Sequence, residues 1–349
     1  MPGVLTGLSP QRVLVVRLSA IGDVIHSLPV ACALREAFPH CQVGWVVESR
    51  AAALLRGHPA IDELVEVPRG FLKSPGCLWQ LRRRLRQWHP DVAIDVQSLS
   101  KSAVVGWLSG ARWRIGFARP QGREIAPWLD RVLVQPKAVH VVEQYLELLE
   151  PLGIRRPAVR FGIAELPGEA EAAAAWIEQY GLGGGFAVLN AGSGWPSKQW
   201  PSERFAALAC HLGEAWRLPS LVVWCGEGER RLAEAIVGGA GGHARLAPAT
   251  SLRELAAIVR RARLFVSSDT GPLHLAAALG TPCVGLYGPW PAERNGPYGP
   301  QHIAIQKIRF EGTTRQRRMA PASLMEAIDV ATVCQACDAL LERDYIQAA

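Results

Sequence analysis

No stretch of the 349 residues is apolar for long enough to cross a bilayer as a helix, so an integral membrane protein of that kind is not expected. Met1 to Pro10 have neither a basic n-region nor a long apolar h-region; the expectation is no export signal and a cytoplasmic protein. The eight cysteines are scattered through apolar segments, as reduced, core-filling thiols are. Only Cys334 and Cys337 have ligand-like spacing, and without a second Cys/His pair they read as one helix face, with no metal site. The Walker phosphate loop and a G-x-G-x-x-G after the first strand are both missing, which argues against a kinase, an ATPase or a dinucleotide dehydrogenase. The net charge of +7 favours anionic partners. Its clusters, Arg82-Arg83-Arg84 with Arg86, Arg112 to Arg123 and Arg309 to Arg318, lack stacking aromatics or a zinc-finger or helix-turn-helix signature, so no nucleic-acid partner is expected.

The length suits two α/β domains, and alternating strand and helix patterns supply them. The first series opens with the β-branched strand Arg12 to Leu18, a polar loop, and a helix from about Val24 to Phe38 that Pro29 should kink or split. Strands follow near Val43, Leu64 and Val92. Around Pro157 to Gly168 the strands give way to Pro and Gly, which marks a linker. A second series begins at Phe186 to Asn190, continues through Leu221 to Trp224, the turn Cys225 to Glu229 and the helix Arg230 to Val237, and reaches Leu264 to Val266. The division expected is 1–164 and 165–322, with a last helix in 323–349 packing back on the body. Two doubly wound sheets of this kind would face each other across a cleft, and such sheets bind ligands at the C-terminal ends of their strands.

The segment 264–280 reads as a buried strand, a tight polar turn and a helix start. Asp269-Thr270-Gly271-Pro272 supplies an N-cap and a proline allowed in a first turn, and free amides there suit a pyrophosphate. A well-capped helix with no ligand is the competing reading. Ser193 and Gly194 lie in a glycine-rich loop that allows close backbone approach, Lys198 offers phosphate a compact charge, and Glu229 could accept from ribose hydroxyls. Taken singly, Lys198 reads as a surface charge, Glu229 as a first-turn acid and His274 as a satisfied core histidine. Together, on strand ends of one sheet, they favour a diphosphate nucleotide. Asp23 is either a general base toward an acceptor hydroxyl or the cap of the next helix.

Three segments, Arg17 to Pro29, Asp95 to Ala103 and Ser268 to His274, resemble the heptosyltransferases of glycosyltransferase family 9, over nearly the whole chain. The resemblance implies a GT-B fold and inverting transfer from ADP-heptose to a Kdo sugar of lipid A at the inner face of the inner membrane, with no metal or other cofactor. By the same resemblance Asp23 matches the general base and Lys198 the lysine on the donor phosphate. Ser193, Gly194, Glu229, Asp269, Thr270, Gly271 and His274 correspond to nucleotide-sugar contacts, and Thr250 to an adenine contact. Arg123 matches an acceptor-binding arginine, whereas Arg69 and Lys73 match the basic acceptor loop only loosely, and Ser98 stands where the family usually has glycine. A GT-B enzyme with another nucleotide-sugar donor, an epimerase, and a non-catalytic nucleotide-binding protein are the alternatives. The oligomeric state has no signal in the sequence.

Overall fold

In the computed structural model, Leu5 and residues 7–348 are described, with side chains through Arg343. Residues 1–4 and 6 of the segment read for an export signal, and Ala349 of the last segment, lie outside them. The chain divides into two compact units, Met1–Ala164 and Glu165–Ala349.

Each unit is built on a six-stranded sheet whose neighbours are all parallel. Unit 1 holds β1 (Arg12–Val16), β2 (Gln42–Glu48), β3 (Glu63–Val67), β4 (Val92–Asp95), β5 (Trp113–Phe117) and β6 (Val132–Val134), in the order β3-β2-β1-β4-β5-β6. Unit 2 holds β7 (Ala187–Asn190), β8 (Ser220–Val223), β9 (Ala244–Leu246), β10 (Leu264–Ser268), β11 (Cys283–Leu286) and β12 (Ile303–Ile305), in the order β12-β11-β10-β7-β8-β9. Both are the doubly wound order 3-2-1-4-5-6, so each sheet has one point where successive crossovers diverge, between β1 and β4 and between β7 and β10.

The apolar runs explain why these strands sit centrally. Val13 to Val16 and Leu264 to Val266 are fully buried because helices cover both faces of a parallel sheet. On one face of unit 1, Leu14, Val16 and Val46 pack with Leu81 and Leu85 of the helix Pro75–Trp88 and with Val105 of the helix Ser100–Ser109. In unit 2 the helix Val330–Ala348 packs on the helix Ser202–Trp216, and its Cys334 and Cys337 are buried free thiols in the core.

Four local expectations need correcting. The first helix runs unbroken over Ile21–Ala37 with Pro29 inside it, so Asp23 lies in its first turn. The helix after β8 begins at Gly226, so Glu229 belongs to it and not to a preceding turn. The final segment is two helices, Ser323–Glu326 and Val330–Ala348, separated before Val330. Three edge or near-edge strands escape notice in the sequence, because β6 and β12 are three residues long and β5 is interrupted by Arg114 and Gly116.

Candidate functional site

In unit 2 the expected residues come from the C-terminal ends of four strands adjacent in the sheet: Asp269 to His274 after β10, Ser193 to Lys198 after β7, Glu229 after β8 and Thr250 after β9. Asn190, the buried last residue of β7, ties the first two together. Its amide nitrogen is 2.8 Å from Ser267 Oγ, 3.2 Å from Thr270 Oγ1 and 3.3 Å from the Gly192 carbonyl. Lys198, on the turn Pro196–Lys198, crosses the same divide: its Nζ donates to Asp269 Oδ2 at 2.5 Å and to the Asp269 carbonyl at 3.1 Å. The ammonium also sits 4.2 Å from the centre of the Trp290 ring. The other Asp269 oxygen lies 3.1 Å from His274 Nε2. Burial alone would raise the Asp269 pKa, but the His274 hydrogen bond and then the Lys198 charge outweigh it and bring it to about 2. Asp269 is an ionised anchor that holds Lys198 at the switch point.

The helix Gly271–Ala278 begins at the same place, with Thr270 as N-cap accepting from the Leu273 amide at 3.4 Å. Pro272 has no N–H, and the amides of Thr270 and Gly271 have no acceptor among the described residues. That helix end offers an anion two donors and a partial positive charge. Glu229 Oε2 accepts from the Cys225 amide at 2.8 Å; burial pushes the Glu229 carboxyl up and the Cys225 bond opposes it. A Cβ on Gly192 would fall 2.2 Å from the Glu229 carboxyl carbon, so the close approach belongs to Gly192. Gly194 has nothing within 4 Å of its Cβ position. Ser193 Oγ donates to the Trp195 carbonyl at 2.7 Å. Ser251 caps the helix Leu252–Val259, which leaves Thr250 outside the cap.

Unit 1 repeats the arrangement at its own switch point. Asp23 Oδ2 pairs with Arg17 Nη2 at 2.7 Å and accepts from the Ala20 amide at 3.3 Å. It is therefore the third helical residue reaching back to the cap position, whose Ala20 has no side chain able to cap. Arg17 is buried, donates to the Val96 carbonyl at 3.1 Å and lies over the Tyr145 ring. Asp23 Oδ1 has no partner among the described residues, and the side chain is 36 % exposed. Lys101, at the start of the helix after β4, donates to Ser19 Oγ at 2.8 Å and to Glu48 Oε1 at 2.9 Å. Ser98 adopts φ +48°, a conformation glycine takes without cost; here its Oγ donates to the Asp95 carbonyl and accepts from the Phe117 amide. Its carbonyl accepts from the Arg123 amide, which fixes the backbone of Arg123 while that side chain stays exposed. Arg69 and Lys73 are exposed on the segment after β3.

The sequence pattern of glycosyltransferase family 9 (heptosyltransferase) matches residues 78–323. The chain belongs to glycosyltransferase family 9. Among its relatives, lipopolysaccharide heptosyltransferase 1 of Pseudomonas aeruginosa is 31% identical over 312 residues, 84% of this chain and 83% of that protein. Among solved structures, a family 9 glycosyl transferase from Veillonella parvula superposes with a TM-score of 0.82 at 23% identity, covering 95% of this chain and 98% of its own. Escherichia coli heptosyltransferase WaaC with ADP-2-deoxy-2-fluoro heptose superposes with a TM-score of 0.74 at 25% identity, covering 94% and 99%. The two doubly wound units are thus the two halves of a GT-B glycosyltransferase.

Within this glycosyltransferase the sequence had pointed to the residues on the strand ends but not to their partners. Arg17, Asn190, Trp290 and the Lys101–Glu48 pair were not singled out. Lys101 and Arg17 do lie inside the segments that carry the family resemblance, and a cation next to a candidate base was the available signal. Among the described residues no group of three His, Cys, Asp or Glu side chains is placed to hold a metal ion.

Proposed function

We propose that the chain transfers heptose from ADP-heptose to a Kdo-type sugar of the lipopolysaccharide inner core, with inversion at the anomeric carbon. Asp23 Oδ1 takes the proton of the acceptor hydroxyl as its oxygen bonds to the heptose C1, and the bond from C1 to the diphosphate oxygen breaks. Lys198 and the amides of Thr270 and Gly271 receive the charge that collects on the leaving ADP. Glu229 and Thr250 are assigned to the ribose and adenine, and Ser193, Gly194, Asp269 and His274 line the same donor. Arg69, Lys73 and Arg123 are assigned to the acidic acceptor. The lipid-linked acceptor places the enzyme at the inner membrane surface, and no metal is assigned a step.

The observation that carries this reading is the Lys198–Asp269 pair beside the helix start at the unit 2 switch point, where a parallel sheet of this order presents its ligand site. The named activity of the Pseudomonas relative and the ligand in the E. coli structure support the choice of sugar and nucleotide. Calorimetry with ADP-heptose, UDP-sugars and GDP-sugars tests the donor: binding of ADP-heptose alone is expected, and preference for another nucleotide removes the reading. Asp23→Ala tests the base. Transfer should fall by roughly 10²–10⁴ with ADP affinity unchanged, and near-normal turnover in that variant rules Asp23 out.

A further inference from the structure

Three large aromatic side chains stand bare on one helical layer of unit 1. Trp79, Trp107 and Trp128 are 61%, 50% and 79% exposed. They lie on the helices Pro75–Trp88, Ser100–Ser109 and Ala126–Leu129, and the middle helix packs against both of the others. The inward side of the layer is fixed by Leu81, Leu85 and Val105, so Trp79 and Trp107 point away from the sheet. Tryptophan has a large apolar body that ordinarily finds cover, and three on adjacent helices make one discontinuous apolar face.

The charge around it is predominantly positive. Residues 71–131 hold eleven Lys and Arg against four acids: Asp95 and Asp130 are buried, Asp91 accepts from the amides of Gln11 and Arg12, and the exposed Glu124 accepts from the Ser100 amide. Arg82, Arg83 and Arg112 are exposed and have no ion pair among the described residues, whereas Arg84 is taken by Glu63. Arg83 lies over the Trp79 ring at 5.6 Å. A second copy seated on this face would set arginine against arginine. A surface with negative headgroups and an apolar interior answers both features at once, the aromatic rings at headgroup depth and the guanidinium groups on the phosphates.

We propose that this face docks the enzyme on an anionic lipid bilayer, Trp79, Trp107 and Trp128 entering the interface and Arg82, Arg83 and Arg112 pairing with lipid phosphates. It goes beyond the proposed transfer reaction, resting on it only for the expectation of a lipid-linked acceptor. Flotation of the full chain with vesicles of phosphatidylcholine alone, or of equimolar phosphatidylcholine and phosphatidylglycerol, tests it. Binding to the anionic vesicles and not the neutral ones is expected, weakening as salt is raised. Replacing all three tryptophans by Ser should lower the bound fraction by roughly tenfold or more, and Arg82→Ser with Arg83→Ser and Arg112→Ser by a similar factor. Trp128→Ser alone, at the most exposed of the three, should give a smaller loss and serves if the triple variant does not fold. Transfer from ADP-heptose to a deacylated, water-soluble acceptor should be unchanged in every variant. No binding by the unaltered protein, equal binding by the folded variants, or loss of a dimer without loss of vesicle binding each overturns the proposal. Vesicle binding that persists when no nucleotide sugar is turned over supports this face and overturns only the proposed function.

Discussion

Replacing Lys198 by Met removes the ammonium while keeping most of the side chain's length and apolar volume, so it isolates the charge. Asp269, 7% exposed, would then face its own burial with His274 as the one remaining side-chain partner among the described residues. In the intact pair its pKa falls from 3.8 to about 2, which at about 1.4 kcal/mol for each pH unit corresponds to a net stabilisation on the order of 2 kcal/mol. That sum is what His274 and Lys198 leave after offsetting desolvation. Loss of Lys198 should therefore cost about 2 kcal/mol at pH 7, a fall in Tm of roughly 4–8 °C for a domain of this size. The sign follows from linkage: a carboxylate whose folded pKa is depressed stabilises above its unfolded value and loses that contribution as pH falls toward its folded value. The deficit of Lys198→Met should thus shrink from below about pH 4 toward pH 2. Asp269→Asn in the same chain should recover much of the stability, because neither partner is then charged. Turnover should not recover if Lys198 meets the leaving diphosphate as proposed, and a drop of roughly 10²–10³ in kcat is then expected in both variants. Thermal melts across pH with a coupled assay of ADP release check all three outcomes. A deficit that is absent at pH 7, or equal at pH 7 and pH 3, refutes the account of the pair.

Gly192→Ala should push the Glu229 carboxylate off the Cys225 amide, costing about 1–2 kcal/mol in Tm measurements and weakening ADP binding as much as Glu229→Ala does; Gly194→Ala should leave stability unchanged. Equal effects of the two glycine variants would contradict that contact. Asp130 is buried with no hydrogen bond to either oxygen, and burial and then the Asp95 charge raise its pKa. The unfolded chain releases that proton near pH 4 and the folded one holds it, so native stability falls as pH rises from there toward the raised folded value. Asp130→Asn should flatten this loss and add ~1–3 kcal/mol at pH 8 while changing little at pH 4, which denaturant melts at the two pH values would show.

The parts of this molecule legible in its sequence are those with a local cause. Val13 to Val16 and Leu264 to Val266 announce central strands because burial on both faces demands an uninterrupted apolar run. Thr270-Gly271-Pro272 announces a helix start because cap and proline act within one turn. One edge of each sheet is not announced, since β6 and β12 need only three residues each and β5, next to β6, tolerates Arg114, whose Nε donates to the Leu129 carbonyl. The site was legible as a set of strand ends but not as contacts. Lys198 and Asp269 are 71 residues apart, Lys101 and Glu48 are 53 apart, and the strand order that brings each pair together depends on which side each crossover takes. Gly192 shows the same limit: glycine is the residue type that a close approach needs, but the neighbour that requires it, Glu229, lies beyond another strand end.

The two switch points use one device to different ends. At each, a carboxylate on the strand-end loop or first helical turn is held by a cation from its own unit, Asp23 by Arg17 and Asp269 by Lys198. Asp269 has both oxygens engaged, one by Lys198 and one by His274, and its depressed pKa makes it a poor proton acceptor in any working range. It fixes the position of the lysine. Asp23 has both of its contacts on Oδ2, while Oδ1 is unengaged among the described residues on a side chain that solvent reaches. Arg17 is buried and anchored to Val96 and Tyr145, so it holds the orientation of that carboxylate without covering the second oxygen. A base needs one lone pair directed at a hydroxyl, and a positioning group needs none. By that criterion the geometry suits Asp23, and not Asp269, to the proton transfer proposed for the acceptor hydroxyl.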